Sequence, residues 1–300
     1  MKLVTAFIVN TLHLGLIGFK PFNPIIGETF QSVVYPPKDI SKVKNVDLRI
    51  GNVKNIDEEL YDKTNPTHVY LEQTSHHPPI THFYMTNKNY ICYGHRESSA
   101  IASGNSVTAG VNGPFNIQFQ NGPLYIATFC KFVVTGLIMG KKYFGYEGNL
   151  KIEDKTNVLT SILNVNPKPE SKGFFSNMFS KKEKNFPDYL RGFICETSNL
   201  KYDSKNDIYS CDSQAILANI EGEYSNYLNI DGKCYWDLTE LISALPCKQD
   251  FILPSDSLLR NDLILFKHGK LEISQYAKMN LEDLQRKDAK LRKKNSEKNK

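Results

Sequence analysis

The placement of two periodicities limits what this chain can fold into more than any other feature. Strand-like alternation fills the middle of the chain, and helical patterns are confined to its two ends. Residues 115–120, Phe-Asn-Ile-Gln-Phe-Gln, alternate apolar and polar side chains, the mark of a half-buried strand. Residues 124–134 continue in that style after the Asn121-Gly122-Pro123 turn. Further candidates are 68–73, 89–93, 149–153, 158–165 and 215–224, separated by turn clusters such as Gly113-Pro114 and Asp231-Gly232. Few stretches between them are long and regular enough for crossover helices, so the strands are expected to pair antiparallel, through hairpins or a meander. So many strands must close into a barrel or stack as a sandwich. The 33 Phe and Tyr residues add to the strand preference. Helices are expected at residues 3–14 and from about 271 to 294, where Ala277, Leu281, Leu284 and Leu291 form an apolar stripe.

Three hundred residues suit one large domain or two small ones, and 40% apolar with 23% charged residues is ordinary for a globular chain. The net charge of +5 is concentrated at one end. From Arg286 onward there are eight Lys or Arg and two acids, so the rest of the chain is close to neutral. A nucleic-acid binder spreads positive charge over a face of its fold; a short basic tail suits an anionic membrane surface or simply a solvated helix end. The six cysteines are at least 13 residues apart, with no C-x-x-C pair, which favours reduced, intracellular thiols over a disulfide framework or zinc knuckle. Residues 1–18 have the outline of a signal peptide, but Asn10 and His13 interrupt the apolar run, and the segment is too short and polar for a membrane span.

Three motifs carry chemistry. In Leu71-Glu-Gln-Thr-Ser-His-His-Pro-Pro-Ile80, His76 and His77 stand before two prolines that stiffen the segment and push His77 out of the helical region. Two adjacent imidazoles suit an anion with many acceptors, a metal, or a structural role. Neighbouring side chains on a regular strand face opposite ways, so both rings serve one ligand only if the chain bends there. A metal-dependent hydrolase would recruit His82 as a third ligand, with His68 a further candidate, although the spacing fits no zinc template. The second motif, residues 20–30 (KPFNPIIGETF), is a proline-stiffened loop offering the Lys20 charge and the Asn23 amide. It is either an oxyanion clamp or a connector. The third is Lys278, Glu282 and Arg286, spaced i, i+4, i+8 on the C-terminal helix, an arrangement that also makes ordinary helix ion pairs of about 0.3–0.5 kcal/mol. Separately, the 167–187 segment interleaves Phe174, Phe175 and Phe179 with lysines that include Lys181 and Lys182. It is either a membrane-contacting loop or a hairpin loop whose rings pack back on the fold.

Taken jointly, these motifs resemble the lipid-binding domain of the oxysterol-binding protein family. LEQTSHHPPI resembles the family's E-Q-x-S-H-H-P-P motif, and KPFNPIIGETF its K-P-x-N-P-x-x-G-E-T loop. LPSDSLLRND and KMNLEDLQR are similar to its C-terminal S-D-S-R-L-R-P-D and K-x-x-L-E-E-x-Q-R segments, with Leu258 in place of an arginine and Asn261 in place of a proline. The resemblance implies a mainly β (α+β) fold, a large, incomplete antiparallel β-barrel around a lipid tunnel, flanked by N- and C-terminal helices, over residues 1–294, with 295–300 a disordered basic tail. It implies a cytoplasmic lipid binder, peripheral on membranes, that transfers phosphatidylinositol 4-phosphate in exchange for a sterol or another lipid, without catalysis, cofactor or metal. Lys20, Asn23, His76, His77, Lys278, Glu282 and Arg286 would then hold the head group. The expected partners are these lipids and anionic membrane surfaces, with no nucleic acid, and the protein is expected to be a monomer.

In the family roughly a hundred residues, including a lid and early helices, precede the loop lysine; here 19 do. That difference leaves room for an alternative, a phosphoinositide sensor or scaffold that binds membranes without transferring lipid. It also makes residues 1–18 an integral helix rather than a signal.

Overall fold

The computed structural model describes residues 1–17, 22–39, 57–167, 188–240, 244–247 and 251–298. A first helix, α1 (Lys2–Ile17), precedes seventeen strands. These are β1 (Thr29–Tyr35), β2 (Thr67–His76), β3 (Pro79–Thr86), β4 (Tyr90–Ser103), β5 (Ser106–Asn112), β6 (Phe115–Phe119), β7 (Leu124–Thr128), β8 (Lys131–Thr135) and β9 (Tyr143–Asp154). They continue with β10 (Leu159–Val165), β11 (Tyr189–Glu196), β12 (Lys201–Asp203), β13 (Ile208–Ser210), β14 (Ile216–Glu223), β15 (Tyr227–Ile230), β16 (Lys233–Asp237) and β17 (Leu245–Pro246). Two helices, α2 (Asn261–Lys267) and α3 (Leu271–Lys298), follow.

Fifteen strands form one sheet, and nearly every strand pairs antiparallel with its neighbour in sequence. β5 and β6 lie end to end against β4 in a single register, from Ser103↔Ser106 to Tyr90↔Phe119, parted only at Gly113-Pro114. β7 and β8 form the next line, interrupted at Phe129-Cys130, and both pair with β9. The path ends at β16 on one side and β17 on the other, with no pairing between these two among the described residues. The fold is thus mainly β and antiparallel, as expected.

Helix α1 is part of the core. Val4, Ile8, Val9 and Leu12 are buried with Leu150, Ile152, Leu163, Leu190, Leu228 and Trp236 from the β9–β16 half of the sheet. Burying such side chains contributes about 1.5–3 kcal/mol each, which makes residues 2–17 an integral element. No helix among the described residues is long and apolar enough to cross a membrane. None of the six cysteines is in a disulfide, and burial pushes the Cys92 and Cys130 thiols up to about 12.

Helix α3 continues through Lys298, into the segment expected to be a disordered tail. An Asp288–Arg292 ion pair of 2.6 Å stabilises its exposed side, and lysines near a helix C-terminus meet the negative end of its dipole.

Candidate head-group site

The histidine pair sits at a two-residue turn of the sheet. Strand β2 ends at His76 and β3 begins at Pro79, with His76 and Pro79 paired in register, so His77 and Pro78 form the whole turn. The His77–Pro78 peptide is cis. The two-residue turn bends the chain enough to bring the two imidazoles together, with centroids 4.5 Å apart. Burial, followed by repulsion from His77, holds His76 below the ordinary histidine value of 6.5, while the Glu282 carboxylate pulls it upward. The charge of α3 is therefore felt at the histidine turn.

The loop before β1 is locked by an arginine to which the sequence alone assigns no role. Arg260 is buried, and its guanidinium spans three groups. Nη1 donates to the Glu28 carboxylate at 2.6 Å and to the Asn23 carbonyl at 3.0 Å. Nε and Nη2 form a fork on Asp262, at 3.0 and 2.6 Å. Burial alone would lower the Arg260 pKa; the bonds to Asp262 and the Glu28 charge more than offset this and hold it above its usual value. Glu28 also accepts the Ile25 N–H at 2.8 Å. Gly27 adopts φ +78°, a conformation costly for any residue with a Cβ, and donates to the Gln73 carbonyl, which ties the loop to β2. Gln285 of α3 accepts the Ile26 N–H at 2.9 Å. Asp256 caps the 3₁₀ turn Ser257–Leu259 through the Leu258 N–H and also accepts from Gln31. The polar residues of LPSDSLLRND thus brace the loop. The Leu258 side chain at the departing position is 55% exposed, so the clamp does not depend on an arginine there.

On α3, Lys278 lies 3.1 Å from Glu282 and 5.8 Å from the centroid of Phe22, the neighbour of Asn23. Phe22 in turn packs edge-on against Phe266 of α2. The i, i+4 spacing predicts a pair between Glu282 and Arg286. Arg286 lies 4.0 Å from Glu282 but donates to Asp283 at 2.7 Å, because the i−3 carboxylate competes for the same exposed guanidinium. Asn23, His76, His77, Lys278, Glu282 and Arg286 therefore occupy the junction of the loop, the β2–β3 turn and α3. Lys20 lies outside the described residues, as do Phe174, Phe175, Phe179, Lys181 and Lys182.

His82, the third metal ligand a hydrolase would need, is engaged elsewhere: its Nδ1 is 2.8 Å from Thr74 Oγ1 and its ring 5.4 Å from that of His95. Among the described residues no group of three or more His, Cys, Asp or Glu has an arrangement that would hold a metal ion.

A second cation, missed in the sequence, lies two register rows from the turn. Arg96 pairs with Thr81, sits 4.2 Å from the Phe129 ring centroid and near Phe83 and Phe115, and donates to the Gly113 carbonyl at 3.0 Å. Burial pulls its pKa down to about 10. A lone basic residue on a Gly- and Ser-rich stretch offers no periodic signal of that kind.

The family model described as Oxysterol-binding protein matches residues 1–300. Oxysterol-binding protein 9 of Dictyostelium discoideum is 30% identical over 296 residues, covering 97% of this chain and 61% of its own. Oxysterol-binding protein 4 of the same organism is 24% identical over 306 residues, covering 99% and 57%. The chain thus spans about three-fifths of these relatives. Among solved structures, the Osh3 ORD in complex with PI(4)P from Saccharomyces cerevisiae superposes with a TM-score of 0.64 at 18% identity, over 97% of this chain and 70% of that one. The Osh1 ORD domain in complex with cholesterol gives a TM-score of 0.65 at 18% identity, over 99% and 66%. At that identity the likeness speaks to the fold.

Proposed function

The chain belongs to the oxysterol-binding protein family, and on that premise we propose that it binds phosphatidylinositol 4-phosphate and moves it between membranes in exchange for a sterol or another lipid. The observation that carries this reading is the convergence of three sequence-distant elements on one spot: the Asn23 loop, the His76–His77 turn and the Lys278–Glu282–Arg286 face. A phosphomonoester brings about −1.5 to −2 charge at neutral pH and three acceptor oxygens. Lys278, Arg286 and Lys20 supply charge, the two imidazoles supply donors, and charge-assisted hydrogen bonds of this kind are about twice as strong as neutral ones. Glu282 holds Lys278 in place and offers an acceptor to inositol hydroxyls. The chemistry proposed is binding, without bond-breaking. The likeness to ORD structures solved with PI(4)P and with cholesterol supports a lipid on both counts.

The test is extraction of labelled lipid from vesicles by the purified protein, followed by delivery to unlabelled acceptor vesicles. Phosphatidylinositol 4-phosphate is expected to be removed and unphosphorylated phosphatidylinositol left behind. Equal removal of both would overturn the head-group assignment. Vesicle binding with no removal of lipid would replace transfer by a sensing role.

The pH dependence follows from the histidine turn. Free His76 titrates below 6.5, so it is mostly neutral at pH 7. A bound phosphate dianion favours the imidazolium, so the complex takes up protons and the bound-state pKa rises. Affinity is therefore expected to increase as pH falls from about 8 toward 6.5, and to level off near pH 6 as the phosphate itself protonates. Titration calorimetry in buffers of different ionisation enthalpy reads this proton uptake directly; zero uptake at pH 7 would contradict it.

A further inference from the structure

A loop outside the cradle has properties the lipid-binding reading does not use. Residues 136–142, Gly-Leu-Ile-Met-Gly-Lys-Lys, join β8 to β9 beyond the last sheet pair, Thr135↔Tyr143. At their apex Leu137, Ile138 and Met139 are 47%, 76% and 76% exposed, a run of apolar side chains held in water. The N–H groups of the apex are nonetheless all bonded, to a single residue. Asn105, at the tip of the β4–β5 hairpin, accepts the Ile138 and Met139 N–H groups on Oδ1, at 2.6 and 3.0 Å. Its Nδ2 donates to the Met139 carbonyl at 2.6 Å, and its own carbonyl accepts the Leu137 N–H at 3.2 Å. The loop is also fixed at its neck, where a Cβ on Gly136 would stand 2.4 Å from the Lys141 carbonyl oxygen. Three apolar side chains thus point outward on a backbone whose three N–H groups and Met139 carbonyl already have partners, which lowers the cost of entering a medium with no water to offer.

The charge around this apex has one sign. Residues 98–146 contain three lysines, Lys131, Lys141 and Lys142, and no Asp or Glu. Position adds a third observation. Ile80, just past the histidine turn, pairs with Glu97, and β4 continues to Ser103, about 20 Å further along the strand. The apex therefore stands at the histidine end of the sheet and projects beyond it.

We infer that the Leu137-Ile138-Met139 apex is a membrane anchor that inserts into the interface of an anionic bilayer, with Lys141 and Lys142 resting on the lipid phosphates. The inference stands whatever lipid the cradle takes, and it would bring that cradle toward the bilayer. Insertion is opposed by no unpaired N–H at the apex, and each lysine near an anionic surface adds attraction that salt weakens.

The test uses the full chain with phosphatidylcholine vesicles, with and without phosphatidylserine and free of phosphoinositide, so that the head-group site plays no part. The tryptophan introduced by Ile138→Trp is expected to shift to the blue and to be quenched by lipids brominated in their acyl chains; Trp236, buried in the core, supplies a constant background. Ile138→Asp with Met139→Asp is expected to weaken partitioning by about tenfold or more without moving the thermal midpoint, since both positions are exposed. Lys141→Glu with Lys142→Glu is expected to abolish the preference for phosphatidylserine. Failure of the brominated lipids to quench the I138W variant, or a double-aspartate variant that partitions like the parent, would overturn the inference while leaving the extraction result untouched.

Discussion

Arg260→Met is expected to lower the stability of the fold by about 3–5 kcal/mol, the cost of removing one partner from a buried charge group. The guanidinium is 7% exposed, and the carboxylates it joins are 9% exposed at Glu28 and 0% at Asp262. Without it, two carboxylates remain in the interior with no counter-charge, and Asn23 loses the contact that sets its carbonyl. For a chain of this size the thermal midpoint is expected to drop by on the order of 10 °C. Urea and thermal unfolding at pH 7 measure both effects. A midpoint equal to that of the parent at pH 7 would show that the triad does not brace the loop.

His76→Ala combined with His77→Ala is expected to reduce phosphatidylinositol 4-phosphate extraction by about two orders of magnitude, the loss of two charge-assisted bonds of roughly 1.5 kcal/mol or more each. Both residues lie at a tight turn on the surface, and neither is buried in the core, so the circular dichroism spectrum and thermal midpoint should stay near those of the parent. Sterol capture, which needs no phosphate ligand, should survive in the same variant. Extraction at the parental level would remove the histidines from the site, whereas loss of both lipids together would mean that the turn shapes the fold rather than the ligand.

Much of this architecture is written in local pattern. The alternation in residues 115–119, 159–165 and 216–223 corresponds to real strands, and both terminal helices form where apolar periodicity places them. What escapes local reading depends on distant partners. Residues 124–134 look like one strand but break at Phe129-Cys130, where register changes between β7 and β8. Strand β4 runs to Ser103 although residues 94–103, rich in Gly, Ser and Ala, have little strand preference of their own; pairing with β3 and β5 decides it. Helix α2 has seven residues, too few for a periodic signal. The site shows the same division. The histidine turn, the loop and the helix face are visible as motifs, but the clamp that fixes the loop is not, because Arg260 and Glu28 are 232 residues apart and no spacing rule spans that distance.

The meander has a consequence for the order in which the molecule comes together. Most of its strands pair with their immediate successors, so the bulk of the sheet can grow by adding hairpins, each closing a short loop at small entropic cost. β4 with β6, β5 with β8, β7 with β9 and β11 with β14 skip a short way along the chain, and a few contacts tie its two ends: α1 against β15 and β16, β1 with β17, and Arg260 with the Asn23 loop. In the proposed cradle the histidine turn is a local β2–β3 hairpin, whereas the Asn23 loop takes its contacts with Arg260 and with Gln285 of α3 from the far end of the chain. During synthesis, with the N-terminal portion folding first, the sheet can be largely formed while the cradle still lacks its helix. On the proposed function, competence to hold a head group is thus among the last properties the chain acquires, and lipid binding would report on completion of the fold as much as on the site itself.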